Sequence, residues 1–457
     1  MGIFDALTNA VTGLQAQSYA LDNISGNIAN SQTTGFKRID TSFEDLIPDT
    51  SLNQQAAGSV LAFSRATNNV QGDVQTMTVP TYMAINGSGY FTVEKPSGTV
   101  DSNPVFDGVD LYTRRGDFTL NAQGYLVNGA GYYLMGQPID QSTNNPSGSV
   151  PETLQFSNDL LPAVATTQIQ YRANLPAEPS TLDTDATVPD SNLIDPTAYS
   201  VNPLVAGTGT VVGTDVNTFL AQSISGGAIT AYDPTGAATN VQLRWAKTAN
   251  ASSGGTDTWE LFYQTNSTAT GSQVAWQNAG TSFTFDSTGQ MSPAIANQTL
   301  TGLTVDGTTL GNVSLQFGAG GVTQFSDSNG SVNVNNITQN GFPAGSLQGV
   351  SINNDGRVVG AYTNGRTIDL AQISLATFNG EDFLKRMDGS TFAATDESGA
   401  AHYSGGGQIV GSALEASNTD ISDEFSKLIV TQQAYSANTR IITTSNEMLQ
   451  DVMAMIR

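Results

Sequence analysis

Residues able to do chemistry are scarce in this chain. It has one histidine, His402, within Gly399-Ala400-Ala401-His402-Tyr403, and no cysteine. A single histidine could serve a Ser-His-Asp triad, but no Gly-x-Ser-x-Gly elbow is present to raise a nucleophilic serine, so a loop histidine fits better. The missing cysteines exclude disulfides, thiolate metal sites and thiol nucleophiles, and one histidine leaves a zinc site of the usual ligands short of donors. Carboxylates are plentiful, yet no pair stands out for acid–base work. Asp327-Ser328-Asn329-Gly330 and Asn353-Asn354-Asp355-Gly356 resemble pieces of calcium loops. An EF-hand numbered from those glycines needs acids at Phe325 or Ser351 and a Glu at Asn336 or Tyr362, so both stretches read as turns. Gly87-Ser88-Gly89 lacks the third glycine and the following helix of a phosphate loop. With Met83-Ala84-Ile85 before it and Tyr90-Phe91-Thr92-Val93 after it, it reads as a β-hairpin. No catalytic, metal or cofactor residue is expected.

What the chain does carry is two sticky ends. Near the C-terminus an apolar residue recurs every seventh position: Leu414, Ile421, Leu428, Tyr435, Ile442, Leu449, Ile456. Near the N-terminus the same period gives Leu7, Leu14, Leu21 and Ile28, with Phe4 and Val11 in the alternate seam. A seven-residue repeat keeps its stripe on one helix face when that helix winds around a partner. Ala6, Ala10, Ala16 and Ala20 would let a neighbouring helix come close. Asp420 is the expected N-cap of the last helix, with Asp423 in its first turn. A helix over 421–456 would be about 54 Å long, more than an ordinary domain needs.

Between the ends the pattern is short strands and turns, rich in Gly, Ser, Thr and Asn. The expected class is mixed and mainly β: discontinuous β-rich domains in the middle, with N- and C-terminal helices forming a coiled coil. Residues 1–30 and 414–457 form a terminal helical polymerisation domain, and 31–75 an extended arm that orders upon assembly. Residues 76–145 and 346–413 form an inner β-rich domain, and 146–345 an outer one, open to subdivision, with all three tryptophans and its own core. At the first helix exit, Gly35 offers a left-handed turn. Lys37-Arg38 reads either as an assembly contact or export cue, or as a solvated helix exit.

Composition narrows the function classes. The formal net charge of −24 over 457 residues argues against nucleic acid, which needs a basic face. Charged residues make up 12% of the chain, half the usual share of about 25%; such surfaces suit extracellular proteins and subunits that slide. No run of 18 or more apolar residues occurs, so no helix is expected to span a bilayer. Met1 to Leu7 do not resemble a cleaved secretory leader, which implies, for an extracellular protein, a route that reads an uncleaved N-terminus.

The stretch from Leu21 to Lys37, containing Asn27-Ile28-Ala29-Asn30 and Gly35-Phe36-Lys37, resembles the N-terminal signature of the bacterial flagellar rod, hook and hook-associated family. Gly26 departs from the asparagine usual there and should loosen the helix end. Leu414 to Asp420 and Gln432 to Asn438 resemble that family's other end. Leu347 to Ile352 with Gly360 to Arg366 looks like the inner β-domain of its hook branch, and Tyr232-Asp233-Pro234-Thr235-Gly236 with Trp259 like the outer one. The resemblance implies a tubular homopolymer outside the cell, a flexible joint passing motor torque from rod to filament. A distal rod subunit is the alternative, and a secreted β-rich adhesin a more remote one. It further implies as partners other copies of the chain, the distal rod protein, the hook–filament junction protein, the hook cap protein and the flagellar type III export apparatus.

Overall fold

The computed structural model describes residues 3–46, 58–101, 103–141, 143–156, 160–205, 209–251, 256–318, 320–403 and 405–455. The chain divides into two compact units, Met1–Asn158 with Leu347–Arg457, and Asp159–Ser346.

In the first unit, helix α1 runs over Ile3–Ala29. It continues through Gly26, whose carbonyl accepts both the backbone N–H and the side-chain amide of Asn30; the expected loosening at Gly26 does not end the helix. The helix ends at Ala29, and the left-handed turn comes beyond it at Gly35, with φ +65°. A Cβ there would lie 2.7 Å from the backbone of Arg114 and Arg115, so both the conformation and the close approach call for glycine.

Residues 31–75 are not an unpaired arm. Strand β1 (Ile39–Leu46) pairs antiparallel with β2 (Ser59–Ala66), Ile39 opposite Ala66 and Leu46 opposite Ser59. Thr41 and Ser64 are opposite each other and face α1, where Asn23 donates to Thr41 (2.9 Å) and Tyr19 bonds Ser64 (2.6 Å). The alternation Ile39, Thr41, Phe43 is the strand signal that the polar composition hid. Residues 47–57 of the expected arm lie outside the described residues.

The β-domain of this unit interleaves the two halves of the chain in one sheet. Its main path runs 347–352, 357–362, 367–372, 133–140, 90–94, 111–113, 391–393, 385–387. Met83–Asn86 and Tyr90–Glu94 do not pair with each other as a hairpin. The former pairs with Gln408–Gly411 and the latter with 111–113, 133–134 and 375–376. Gly87 and Gly89, at φ +107° and +115°, redirect the chain between two pairings, and Ser88 accepts from the Gly407 N–H. The core of this domain is built on Met83, Phe91, Phe118, Leu134 and Val358. Leu154 and Phe156 join that core, and Glu152–Thr153 pairs with Met135–Gly136. The boundary expected at 146 therefore shifts, and the second unit begins at Asp159.

The second unit is a sandwich of two five-stranded sheets. One contains 168–174, 297–305 and 308–316; the other contains 224–232, 238–249, 258–264 and 274–284. Tyr171, Trp245, Trp259, Phe283 and Phe317 fill the space between them. The other face of the second sheet carries a separate core of Phe219, Phe262 and Trp276, covered by the short helix α2 (Val216–Ala221).

The last helix, α3, spans Ile421–Met455. Asp420 caps it by accepting from the N–H groups of Ser422 (2.8 Å) and Asp423 (3.3 Å). Leu414 is not the first residue of the helical stripe. It lies in the strand Ala413–Glu415, which pairs with Val74–Thr76, because Ser417 to Asp420 intervene before the helix begins.

Candidate assembly surface and its buried anchor

The sites of possible chemistry resolve into structure. Asn353 accepts from the N–H groups of Asp355 and Arg357, and Asp327 from that of Asn329. Gly330 and Gly356 have φ +61° and +73°, so both stretches are turns. His402 is exposed and exchanges backbone hydrogen bonds with Thr377. Among the described residues no group of three His, Cys, Asp or Glu side chains could hold a metal ion.

The helices α1 and α3 pack antiparallel, since Gly13 meets Asn438 while Asn27 meets Glu424. The buried face of α1 is its line of small residues, Ala10, Gly13, Ala16 and Ala20, followed by Ile24 and Asn27. A Cβ on Gly13 would stand 2.8 Å from Asn438 Nδ2, which shows how close the helices approach. The buried positions of α3 are polar: Glu424, Thr431 and Ser445. Leu7, Leu14, Leu21, Ile28, Leu428, Ile442 and Leu449 are only half-buried. Phe4, Val11, Ile421 and Tyr435 are exposed, and Ile456 lies outside the described residues. The apolar period thus marks which side chains are greasy, while small residues make the seam within the chain.

Consequently the helix pair shows large apolar side chains outward. Phe4 is 70% exposed and Val430 65% exposed, and Phe425, Ile429, Ile441, Met448 and Met453 are exposed with them. The hairpin adds Leu61 and Phe63, which alternation places on the face away from α1. Large apolar side chains left exposed along both helices and the hairpin make this pair the candidate assembly surface.

The motif residues lie at the root of the helices. Asn27 donates to Glu424 Oε2 (3.0 Å) and exchanges hydrogen bonds with the Ile39 backbone (2.8 and 2.9 Å). Lys427 reaches Glu424 Oε1 (2.7 Å) and Asp40 (3.1 Å). One asparagine therefore ties α1, the hairpin and α3 together. Asn30 closes the end of α1, and Ile28 and Ala29 sit in its last turn, where Ser31 donates to the Ile28 carbonyl (2.8 Å).

Lys37 is neither a solvated exit residue nor a free surface contact; it is 1% exposed and paired with Glu415 at 2.5 Å. Glu415, at 0% exposure, also receives Arg114 Nη1 (3.3 Å) and the Gly72 N–H (2.9 Å). Burial pushes the Lys37 pKa below its ordinary range, and the charge of Glu415 pulls it partly back. Burial likewise raises nearby Glu381, an effect that Arg114 opposes. Asn418 accepts from the Arg38 N–H (2.7 Å) and donates to the Val70 carbonyl (3.1 Å). The two quoted terminal motifs are thus halves of one buried ionic anchor. Sequence reasoning missed Glu415, Glu424 and Arg114 as functional residues. A lone acid within Ala413-Leu414-Glu415-Ala416 was the available signal, because a charge flanked by apolar residues in a strand needs a counter-charge.

Comparison with known proteins bears directly on this arrangement. Residues 7–37 match the family description "Flagella basal body rod protein" and 84–211 match "Flagellar hook protein FlgE/F/G D1 domain". Residues 221–342 match "Flagellar basal body protein FlaE D2 domain" and 410–455 "Flagellar basal body rod FlgEFG protein C-terminal". The flagellar hook protein FlgE of Salmonella typhimurium is 30% identical over 463 residues, covering 98% of this chain and 99% of that protein. The chain belongs to the flagellar hook protein family. A hook protein FlgE from Brucella abortus is 28% identical over the full length of both chains. In fold, this hook-family chain is similar to the crystal structure of Helicobacter pylori flagellar hook protein FlgE2. The TM-score is 0.50 at 15% identity, covering 75% of this chain and all of that one. That fold agrees with the mainly β architecture bracketed by terminal helices.

Proposed function

We propose that this chain is the repeating structural subunit of the bacterial flagellar hook, a tubular helical homopolymer that transmits motor torque through a flexible joint. The observation that carries this reading is the terminal helix pair, held by small and polar residues while large apolar side chains remain uncovered. Burying five of those side chains at about 1.5–3 kcal/mol each supplies a gain of the same size as an association cost of about 4–15 kcal/mol. A heterologous contact of this kind repeats without closing and generates a helical tube. The low share of charged residues supports bending, since subunits that slide break few ion pairs. The polymer reading requires no catalytic site.

The neighbours in such an assembly are other copies of the chain, the distal rod protein beneath, the hook cap protein during growth and the hook–filament junction protein above. Delivery is by the flagellar type III export apparatus, which places the polymer outside the cell. The rod reading draws on the matches at both ends, whose descriptions name the basal body rod; the full-length hook relatives favour the hook. Electron microscopy of polymer grown from the purified chain tests both. Curved, supercoiling tubes are expected, straight rigid tubes would favour the rod, and a chain that stays monomeric would overturn the polymer reading. Deleting residues 421–457 should leave a soluble β-rich monomer that forms no tubes.

A further inference from the structure

The strongest unassigned feature is a cationic pocket in a chain with 40 acidic residues against 16 basic ones. A cavity of about 320 Å³ lies between the exit of α1 and the segment 385–392, and Lys37, Arg115 and Arg386 line it with no Asp or Glu. Two of these cations are already matched. Lys37 turns inward to Glu415, and Arg115 grips Asp117 with two nitrogens at 2.7 and 2.8 Å.

Arg386 differs. Its guanidinium is held 5.0 Å from the Phe36 ring and 5.8 Å from the Phe392 ring. Its one protein acceptor among the described residues is the Lys37 carbonyl. Burial lowers its pKa, with no carboxylate to counter the effect. A guanidinium has five N–H donors in a planar fork suited to a carboxylate. Here the fork is oriented in advance by two aromatic rings, so little side-chain entropy remains to be lost when an anion arrives.

We propose that this pocket receives an Asp or Glu side chain from a second copy of this chain, with Arg386 as the cationic anchor. The inference rests on the polymer reading above and names one polar contact within it. The occupant follows from charge complementarity: a second copy offers 40 carboxylates against 16 cations, and a half-buried cation without a counter-charge favours one.

Met387 lines the same pocket and is exposed, so it can be changed without touching the core. In the full-length chain, Met387→Glu would supply a competing carboxylate from within the subunit, and Met387→Gln the same shape without charge. The expected result is a critical concentration for tube formation raised at least roughly tenfold by Met387→Glu and unchanged by Met387→Gln. Equal assembly of the two variants, with normal tubes from the unaltered chain, would overturn the pocket assignment alone. Should a Met387 variant lose its fold by circular dichroism, Arg386→Gln decides. A folded monomer with a similarly raised critical concentration supports the contact, and wild-type assembly refutes it. An unaltered chain that forms no tubes would instead overturn the polymer reading, and this inference with it.

Discussion

Glu415 joins segments that are far apart in the chain, accepting from Lys37, Gly72 and Arg114. Glu415→Gln would leave two buried cations without their shared counter-charge, and should destabilise the monomer by about 3–5 kcal/mol near neutral pH, measured by urea unfolding. The pH dependence has a definite sign. Because burial lowers the Lys37 pKa from the usual 10.5, the unfolded chain binds more protons between the folded value and 10.5. The Lys37 contribution to stability therefore rises as pH climbs through that window. In Glu415→Gln the shift deepens, so the deficit should shrink toward the alkaline end; a deficit independent of pH would contradict this account. Two glycines give opposite expectations. Gly35→Ala forces a left-handed conformation costing about 1–2 kcal/mol and adds a clash with the Arg114–Arg115 backbone. Gly26 has open space around its missing Cβ, so Gly26→Ala should stabilise the chain by about 0.4–1 kcal/mol. Thermal unfolding of the two variants would check both signs.

At the scale of the element, the two faces of α3 separate folding from assembly. Ile442 is half-buried toward α1, and Val430 points outward. Ile442→Asp should loosen the helix pair in the monomer, at a cost of about 1–2 kcal/mol from lost burial, and reduce helical ellipticity. Val430→Asp should leave that ellipticity intact and still prevent tubes, because the charge would have to enter an apolar contact with another copy. Tubes of normal yield from Val430→Asp would show that this face is not an assembly surface. The seam also explains why the pair is thin on its own. Alanines and a glycine bring the helices close but remove little apolar area from water, and short-range packing without area leaves α1 dependent on the hairpin and on neighbours.

At the scale of the whole molecule, the two compact units have separate cores. All three tryptophans, Trp245, Trp259 and Trp276, are buried in Asp159–Ser346, while the long helices belong to the other unit. Tryptophan fluorescence should therefore report the second unit, and helical ellipticity the first. Unfolding curves followed by the two signals are expected to separate; superimposable curves would mean that the chain unfolds as one cooperative body.

The local features were legible in the sequence. The extents of α1 and α3, the Asp420 cap, the Gly35 turn and the loops at Asn353 and Asp327 rest on neighbours within a few residues, where period and turn chemistry act. The scarcity of catalytic groups was equally plain. Long-range partners were not legible. The heptad showed which residues are apolar, but the face each helix buries was decided by how closely a second helix could approach, and small residues won that contest. The pairings of Ile39–Leu46 with Ser59–Ala66 and of Met83–Asn86 with Gln408–Gly411 depend on strands that meet in space. Lys37 and Glu415 stand 378 positions apart. A buried charge needs its partner close in space, not in sequence, so only the tertiary structure could bring the two terminal motifs together as one anchor.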